Sequence, residues 1–95
     1  MHTRILRKIR EKIRSEEYVL TTHAEEEMAN DDFIEIDVET AILNGRIIRR
    51  ERDSLKRAKY IIEGVAIDGR KMQLVCRFSD SGHYVVIITV YEVME

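Results

Sequence analysis

The spacing of hydrophobic residues along the chain changes near Arg46. Before this position, apolar side chains recur every three to four residues, as at Ile5, Ile9 and Ile13, a spacing typical of helices with one buried side. After it, apolar and polar residues alternate, as in residues 71–78, and a period of two is typical of strands with one buried face. The pattern therefore predicts helices in the first half of the chain and a β-sheet in the second.

The first half is predicted to hold a basic helix, a short strand and two acidic helices. We expect these elements at residues 3–16, 18–21, 22–30 and from Asp37 to Gly45. The spacing of Thr22 and Glu25 matches a Thr-x-x-Glu capping box, and Asp and Gly are favoured just before and just after a helix, respectively. The basic helix has a narrow apolar stripe, so it either docks on its own domain or lies on a membrane or a partner.

The second half is predicted to form an antiparallel meander of four strands. The candidate strands are residues 47–52, 58–67, 71–78 and 83–93. Asp68-Gly69 is a favoured hairpin dipeptide, and residues 79–82 have the composition of a second turn. Residues 84–91 are mostly apolar without alternation, which predicts a central strand covered on both faces. The whole pattern predicts an α+β fold, in which N-terminal helices pack on a four- to five-stranded, mainly antiparallel sheet.

The composition describes one small domain that spans residues 1–95. The chain is 44% hydrophobic and 36% charged, which separates it from disordered chains. A domain of this size leaves little room for a deep cavity, so we expect no cofactor. Cys76 is the one cysteine and cannot form an internal disulfide, and we find no signal peptide or long apolar run. These features predict a cytoplasmic protein that does not span a membrane.

The charges of the chain are segregated, although the net charge is only −2. Residues 1–14 carry +5, residues 15–45 carry −10, residues 46–77 carry +6 and residues 78–95 carry −3. Such segregation produces a basic and an acidic part unless the fold pairs the charges within the chain. Both outcomes are compatible with the sequence, so the acidic total does not exclude contact with nucleic acid.

Six short segments occur in a characteristic order. They are Leu20-Thr21-Thr22-His23-Ala24, Glu27-Met28, Asp37-Val38-Glu39, Asn44-Gly45, Asp68-Gly69-Arg70 and Ile88-Thr89-Val90-Tyr91-Glu92. In this order and spacing they resemble the family known as domain of unknown function 4258, over about residues 18–93. Residues 1–16 form an extra helix outside the match. Family members commonly have His in the strand after the Asp-Gly-Arg turn, where this chain has Gln73.

The resemblance implies a fold and a function. Family members resemble bacterial toxins of the RelE/ParE-like superfamily, in which helices precede an antiparallel sheet. It follows that the chain is expected to be a toxin-like component of a type II toxin–antitoxin pair, with a cognate antitoxin that is often of zinc-finger type. RelE-like enzymes resemble metal-free ribonucleases, in which the 2′-hydroxyl of the RNA attacks the adjacent phosphate. Such a site needs a proton acceptor, a proton donor and cations.

The cations predicted for this chemistry lie on one hairpin. Arg77 and Lys71 share a strand face with Gln73 between them, and Arg70 lies beside them at the turn. Arg binds phosphate oxygens in pairs and keeps its charge near neutral pH, so Arg77 is the candidate catalytic cation and the other three are candidate RNA contacts. The alternative for this ridge is an ordinary solvated sheet face.

Two histidines and a tyrosine are the candidates for proton transfer. His83 has a suitable intrinsic pKa for general acid–base catalysis, and it shares the face of Arg77 only for one register of the turn. His23 matches the histidine of the family near the first helix, or else pins the joint between strand and helix. Tyr91 matches the terminal tyrosine of the family and either donates a proton or closes the sheet edge.

Three weaker signals complete the candidates. Tyr60 near Arg50 or Arg52 combines an aromatic ring with cations, as base stacking requires, although a core tyrosine is the alternative. His23 and Glu27 have the i,i+4 spacing of two metal ligands, but they lack a third ligand, so no metal site is predicted. Cys76 alternates with apolar residues and is expected to be buried.

Three functions remain compatible with the sequence. The first is an RNA-cleaving toxin that acts on mRNA, alone or with the ribosome. The second is a catalytically inactive module of the same fold that binds an antitoxin, gyrase or RNA. The third is an interaction protein of unknown function, in which the basic N-terminal helix packs in a homodimer.

Overall fold

The computed structural model describes residues 2–94, which form three helices and a five-stranded sheet. The elements in chain order are α1 (Thr3–Arg14), β1 (Tyr18–Leu20), α2 (Thr22–Asn30), α3 (Glu35–Asn44), β2 (Arg46–Arg52), β3 (Ala58–Val65), β4 (Lys71–Phe78) and β5 (Val85–Glu92). The predicted α+β fold with helices packed on the sheet is confirmed. No helix in this part of the chain is long and apolar enough to cross a membrane.

The strand order of the sheet is β1-β5-β4-β3-β2. β1 runs parallel to β5, and all other neighbours are antiparallel, which confirms the predicted meander. The three helices pack on one face of the sheet, and the apolar side chains of that face join them in a single core. Leu74 and Ile62 lie at its centre and are completely buried. No helix of the described residues packs on the other face, which we call the open face.

The open face follows from strand alternation. In β4, Met72, Leu74 and Cys76 point into the core, so the residues between them point to the open face. Cross-strand pairing extends this assignment to the neighbouring strands. The charged or amide-bearing residues of the open face are Arg46, Arg49, Glu51, Lys59, Glu63, Lys71, Gln73 and Arg77.

β5 does not alternate because it contains a bulge. Between Val75 and Cys76 of β4, the partner position moves from Thr89 to Ile87, so Ile88 is the additional residue. An extra residue reverses the alternation beyond it, and Ile87 and Val90 consequently both point into the core. β5 lies inside the sheet, as predicted for a central strand, but the expectation that it is covered on both faces was wrong, because the described helices pack on one face only. The apolar run reflects the bulge and partial burial of side chains on the open face.

The helices of the acidic segment begin earlier than expected, by one residue in α2 and by three residues in α3. α2 is capped by Thr21, whose hydroxyl accepts a hydrogen bond from the amide of Ala24 at 3.0 Å, and Thr22 is the first helical residue. The backbone amide of Thr21 also donates to the carbonyl of Ile87, so contact with β5 decides where the helix begins. α3 starts at Glu35, and Asp37 lies inside it and accepts from the amide of Ile34 at 3.0 Å.

α1 docks on its own domain, which was the first of the two alternatives for this helix. Ile9 and Ile13 are 1% and 2% exposed, and both belong to the core. Arg10 donates to the carbonyl oxygens of Ile42 at 3.4 Å and of Gly45 at 2.8 Å. These carbonyls lie at the C-terminal end of α3, where a cation is favoured by the helix dipole. α1 is therefore held by both apolar packing and a charge-assisted cap.

α3 packs closely on β3 because glycine occupies the contact. A β-carbon on Gly64 would lie 2.0 Å from the carbonyl oxygen of Ala41, and one on Gly45 would lie 2.5 Å from the same atom. Asn44 adds two hydrogen bonds, since its side-chain amide donates to the carbonyl of Val65 at 2.8 Å and accepts from its N–H at 2.9 Å. The Asn44-Gly45 pair thus fixes the end of α3 against β3.

Candidate functional site

Four polar residues form a line across the open face of the sheet. In the strand register, Arg46 of β2 is opposite Glu63 of β3, Glu63 is opposite Gln73 of β4, and Gln73 is opposite Tyr91 of β5. We call these four residues the polar row. Because directly opposite residues have neighbouring β-carbons, the row brings a cation, a carboxylate, an amide and a phenol together at one end of the sheet.

Hydrogen bonds connect the last three members of the polar row. The hydroxyl of Tyr91 donates to Oε1 of Gln73 at 2.5 Å, and Nε2 of Gln73 donates to Oε2 of Glu63 at 2.8 Å. The Gln73 amide is thereby fixed in one orientation, with its oxygen towards the phenol and its nitrogen towards the carboxylate. All three side chains are half-buried, so they are positioned by their neighbours while remaining accessible.

A shallow cavity of about 280 Å³ adjoins the polar row. Its lining residues are Asn44, Gly45, Arg46, Glu63, Gly64, Val65, Gly69 and Lys71. Lys71 lies two residues before Gln73 on the same face of β4. The cavity is therefore lined by one carboxylate, Glu63, and two cations, Arg46 and Lys71, a combination suited to a ligand that carries both a phosphate and a hydroxyl group.

The register of the β3–β4 hairpin creates this arrangement. The loop contains residues 67–69, since Ala66 pairs with Arg70 through the bond from the Ala66 amide to the Arg70 carbonyl, and Gly69 has a φ of +91°. A two-residue Asp68-Gly69 loop would instead have placed Gln73 opposite Gly64. One residue in a loop thus decides which side chain faces Gln73.

Glu63 and Arg46 were not among the predicted site residues. Both lie in segments that were predicted as strands or next to strands, and Glu63 has the correct spacing to share the face of Lys59 and Val65. The available signal was this alternation, but it could not say which residue of β4 lies opposite. Arg46 was missed because its strand begins one residue earlier than expected.

Arg77 lies on the open face as predicted, at the other end of β4. It is four residues from Gln73, which corresponds to about 13 Å along a strand. Its guanidinium donates to the carbonyl of Phe78 at 3.1 Å and lies 3.8 Å from the carboxylate of Asp80. Arg77 therefore shares a face with Lys71 and Gln73 but does not join the polar row.

The two candidate histidines lie apart from the polar row. β5 begins at Val85 rather than at position 83, so His83 is an exposed residue of the preceding turn. His23 lies in α2, on the helix-covered side of the sheet, with its Nε2 atom 3.2 Å from Oε1 of Glu27. Its side chain is 64% exposed, and the joint between β1 and α2 is pinned by Thr21 instead.

Arg70 is engaged in the architecture of the fold. Its guanidinium donates to the carbonyls of Asp31 at 2.6 Å and Asp32 at 3.0 Å, and it lies 4.2 Å from the centre of the Phe33 ring. It also pairs with Asp68 at 2.8 Å and with Glu92 at 3.3 Å. The bond with Asp68 raises the pKa of Arg70. Arg70 thus joins the hairpin turn to the loop before α3, and its donors are not free for RNA.

Arg50 and Tyr60 are direct cross-strand partners, as expected from their common groove. Tyr60, however, is only 6% exposed and packs edge-to-face on Phe78, with ring centres 6.5 Å apart. A ring in this position belongs to the core and offers no face to a base. Arg50 is exposed on the edge strand β2, where charged residues also oppose pairing with another sheet.

Several carboxylates of the acidic segment, residues 15–45, stabilise the fold. Beyond the end of β1, the exposed edge of β5 is covered by side chains of α2 and the residue after it. Glu27 accepts from the amide of Val90 at 3.1 Å, and Asp31 accepts from the amide of Glu92 at 3.0 Å. These carboxylates replace the hydrogen bonds of a missing strand.

A second pair of carboxylates in the same segment binds a phenol. The hydroxyl of Tyr18 lies 2.8 Å from Glu35 and 2.5 Å from Glu39. Burial, followed by these two carboxylates, raises the pKa of Tyr18 far above its usual value. Some carboxylates of the acidic segment thus bind backbone amides or Tyr18. The basic helix α1 also forms an ion pair with this segment, between Lys12 and Glu17, which are 3.6 Å apart.

Two further predictions concern reactive groups. Cys76 is completely buried, as expected, and burial raises the pKa of its thiol to about 12. Such a thiol is unreactive near neutral pH. Within residues 2–94, no group of three His, Cys, Asp or Glu side chains is arranged to hold a metal ion.

The comparisons with known proteins identify a family. The family model described as Domain of unknown function (DUF4258) matches residues 20–92. The chain belongs to this family. No curated protein and no solved structure matches the chain.

The structure explains several of the residues that link the chain to DUF4258. Thr21 caps α2, Glu27 covers the edge of β5, and Asn44 binds the backbone of β3. Arg70 joins the hairpin turn to the α2–α3 loop. These residues have architectural roles in this chain, whereas Tyr91 has its hydroxyl on the open face in the polar row.

Proposed function

We propose that this protein is the toxin-like component of a bacterial type II toxin–antitoxin pair, and that it is an endoribonuclease that cleaves mRNA at the polar row without a metal ion. One observation carries the catalytic part of the proposal. The hydrogen-bonded line of Tyr91, Gln73 and Glu63 lies on a sheet face that no helix of residues 2–94 covers, beside a cavity that Glu63 lines together with the cations Arg46 and Lys71.

The polar row contains the groups that transesterification of RNA requires. In the proposed reaction, Glu63 accepts the proton of a ribose 2′-hydroxyl while its oxygen attacks the adjacent phosphorus. The bond from phosphorus to the 5′-oxygen breaks, and Tyr91 donates its proton to that leaving oxygen. Arg46 and Lys71 stabilise the charge that develops on the phosphorane. The products are a 2′,3′-cyclic phosphate and a 5′-hydroxyl, and solvent returns the protons.

Gln73 is proposed as a positioning residue in this reaction. Its amide contacts both Glu63 and Tyr91. It therefore holds the proton acceptor, Glu63, on one side and the proton donor, Tyr91, on the other. It also occupies the position where members of the resembling family commonly have His. The toxin–antitoxin part of the proposal, including an antitoxin as partner, is supported by that resemblance alone.

The test is cleavage of an unstructured RNA, with and without ribosomes, by the purified protein and two near-isosteric variants. We expect Glu63→Gln and Tyr91→Phe each to reduce the cleavage rate by about 100-fold or more, and the cleaved RNA to end in a cyclic phosphate. Lys59→Ala, an open-face variant outside the row, serves as the matched control and should cleave normally. Cleavage that survives both row variants would contradict the proposal.

A second candidate function is a catalytically inactive module that binds an antitoxin, gyrase or RNA. The observation that favours it is the absence of any imidazole from the polar row, whose central position holds Gln73. The variant Gln73→His separates the two candidates. If the wild type does not cleave RNA but Gln73→His does, the protein is a binding module derived from an enzyme. A gyrase supercoiling assay and a pull-down from native extract then identify the partner.

A further inference from the structure

A second, larger groove lies between α1 and β2, with a volume of about 440 Å³. Its lining residues are His2, Thr3, Leu6, Arg7, Arg10, Arg14, Arg46 and Ile47. Four of these eight are arginines and none is acidic. We call this feature the arginine groove. Most of it comes from α1, which lies outside the part of the chain that matches DUF4258.

The helix geometry explains why the arginines converge. Arg7, Arg10 and Arg14 are three and four residues apart, so they lie along one side of α1 over about 10 Å of helix. The neighbouring side of the helix holds Ile9 and Ile13 in the core. The orientation of the arginine side is therefore set by the same packing that attaches α1 to the domain.

The arginine groove carries charge that the chain does not neutralise. Arg10 binds the carbonyls of Ile42 and Gly45, which leaves its full positive charge in place. Arg7, Arg14 and Arg46 form no ion pair with a carboxylate among residues 2–94. Several guanidinium groups around one concave surface repel each other, and an anion bound between them relieves that repulsion. The groove thus has the electrostatic character of a phosphate-binding site.

Arg46 connects the arginine groove to the polar row. It lines the groove, and it also lines the smaller cavity beside Glu63 and Lys71. A phosphodiester chain lying in the groove would therefore pass along the beginning of β2 to the proposed reaction centre. Contacts of this kind go to phosphates and not to base edges, so they carry no base preference.

We propose that the arginine groove binds the phosphate backbone of single-stranded RNA and guides it towards the polar row. The RNA as ligand rests on the proposed function, but binding in the groove does not require cleavage. α1 is then a substrate-binding addition to the family domain. The competing ligand is an anionic membrane surface, and binding to vesicles distinguishes it from RNA.

The experiment measures binding of a fluorescent, 2′-O-methylated RNA oligomer, which cannot be cleaved, by anisotropy at several salt concentrations. The test variant is Arg7→Gln with Arg14→Gln. The matched control is Arg4→Gln with Lys8→Gln, which removes the same charge from exposed positions of α1 outside the groove. We expect the test variant to bind at least tenfold more weakly and the control less than threefold. Each lost phosphate contact should also reduce the salt slope by about 0.7.

Three results would overturn the inference. The first is that the two double variants weaken RNA binding equally, and the second is that the wild type does not bind the oligomer. The third is that the wild type binds phosphatidylserine vesicles and not RNA, and that the test variant loses this vesicle binding. Thermal unfolding of both variants confirms that α1 remains docked. If the wild type binds through the groove but cleaves no RNA, the inference stands and the proposed function fails. If the wild type cleaves RNA and the test variant binds and cleaves RNA normally, the proposed function stands and the inference fails.

Discussion

The two faces of the sheet use polar residues in different ways. On the helix-covered side, Thr21, Glu27 and Arg70 bind backbone atoms of other elements. On the open face, Tyr91, Gln73 and Glu63 bind one another through side-chain atoms. Side chains committed to the backbone hold the fold together, whereas side chains that contact only each other can exchange partners with a ligand. The comparison therefore assigns stability to the covered side and chemistry to the open face.

The largest expected effect on stability comes from the contact between α3 and β3. Gly64→Ala should destabilise the protein by about 3 kcal/mol or more, because the new β-carbon overlaps the Ala41 carbonyl and the two elements must separate. Chemical denaturation measures this change. Gly82→Ala is the control, since it has open space and only the cost of a positive φ, about 1 kcal/mol. Equal losses in the two variants would refute the close-packing explanation.

Arg70 provides the next test, because it was predicted to be an RNA contact. Arg70→Lys keeps the charge but cannot reach two carbonyls and two carboxylates with one planar group. We expect the midpoint of thermal unfolding to fall by several degrees, while RNA binding by the folded protein is unchanged. Arg46→Lys on the open side is expected to show the opposite pattern. An Arg70 variant with unchanged stability and weakened RNA binding would restore the original assignment.

The helix cap of α2 distinguishes two adjacent threonines. Thr21→Ala should cost about 1–2 kcal/mol, since it removes the cap of the Ala24 amide and the hydrogen bond from the hydroxyl to the carbonyl of Ile88. Thr22→Ala, at the first exposed position of the helix, should change stability by less than about 0.5 kcal/mol. A larger effect at Thr22 would mean that the capping box predicted from the sequence is present after all.

The smallest expected effect concerns acid stability at two turns. The backbone amide of Arg57 lowers the pKa of Asp53, and that of Arg70 lowers the pKa of Asp68. A carboxyl with a lower pKa in the folded state stabilises the fold above its unfolded pKa, and this contribution is lost as the pH falls through the folded value. Thermal stability should therefore decline below about pH 4.

The variant Asp68→Asn checks that assignment. We expect it to be less stable than the wild type near pH 7 and to lose less stability between pH 5 and pH 2. Glu26→Gln, which removes one carboxylate from the exposed side of α2, is the control for the change in net charge. An acid decline that is equally steep in Asp68→Asn and in the control would refute the role of this turn.

Local patterns predicted most of the elements. β4 has the predicted bounds, and α2 ends at Asn30 as expected. The errors came from contacts with distant residues. Thr21 caps α2 because β5 holds its amide, and the bulge at Ile88 removed the alternation from β5. The first contact leaves no trace in the local spacing of hydrophobic residues, and the second leaves an apolar run that a strand covered on both faces would also produce.

The candidate site was predicted only in part, for a related reason. Lys71, Gln73, Arg77 and Tyr91 do lie on the open face, but Arg70 and Tyr60 are held by the fold. A polar residue is exposed on average, but it can be held inside the fold when its polar groups have hydrogen-bond partners there. The toxin and ribonuclease functions stay predictions until RNA cleavage is measured.

The sequence by itself determined which residues of one strand share a face, since this depends only on a backbone period of two. The tertiary structure decided which residues meet across strands and helices. A loop of three residues put Glu63 opposite Gln73, and the docking of Ile9 and Ile13 brought the arginines of α1 to Arg46. Register and docking are set by the packing of the whole core, where a shift of one residue exchanges the two faces of a strand.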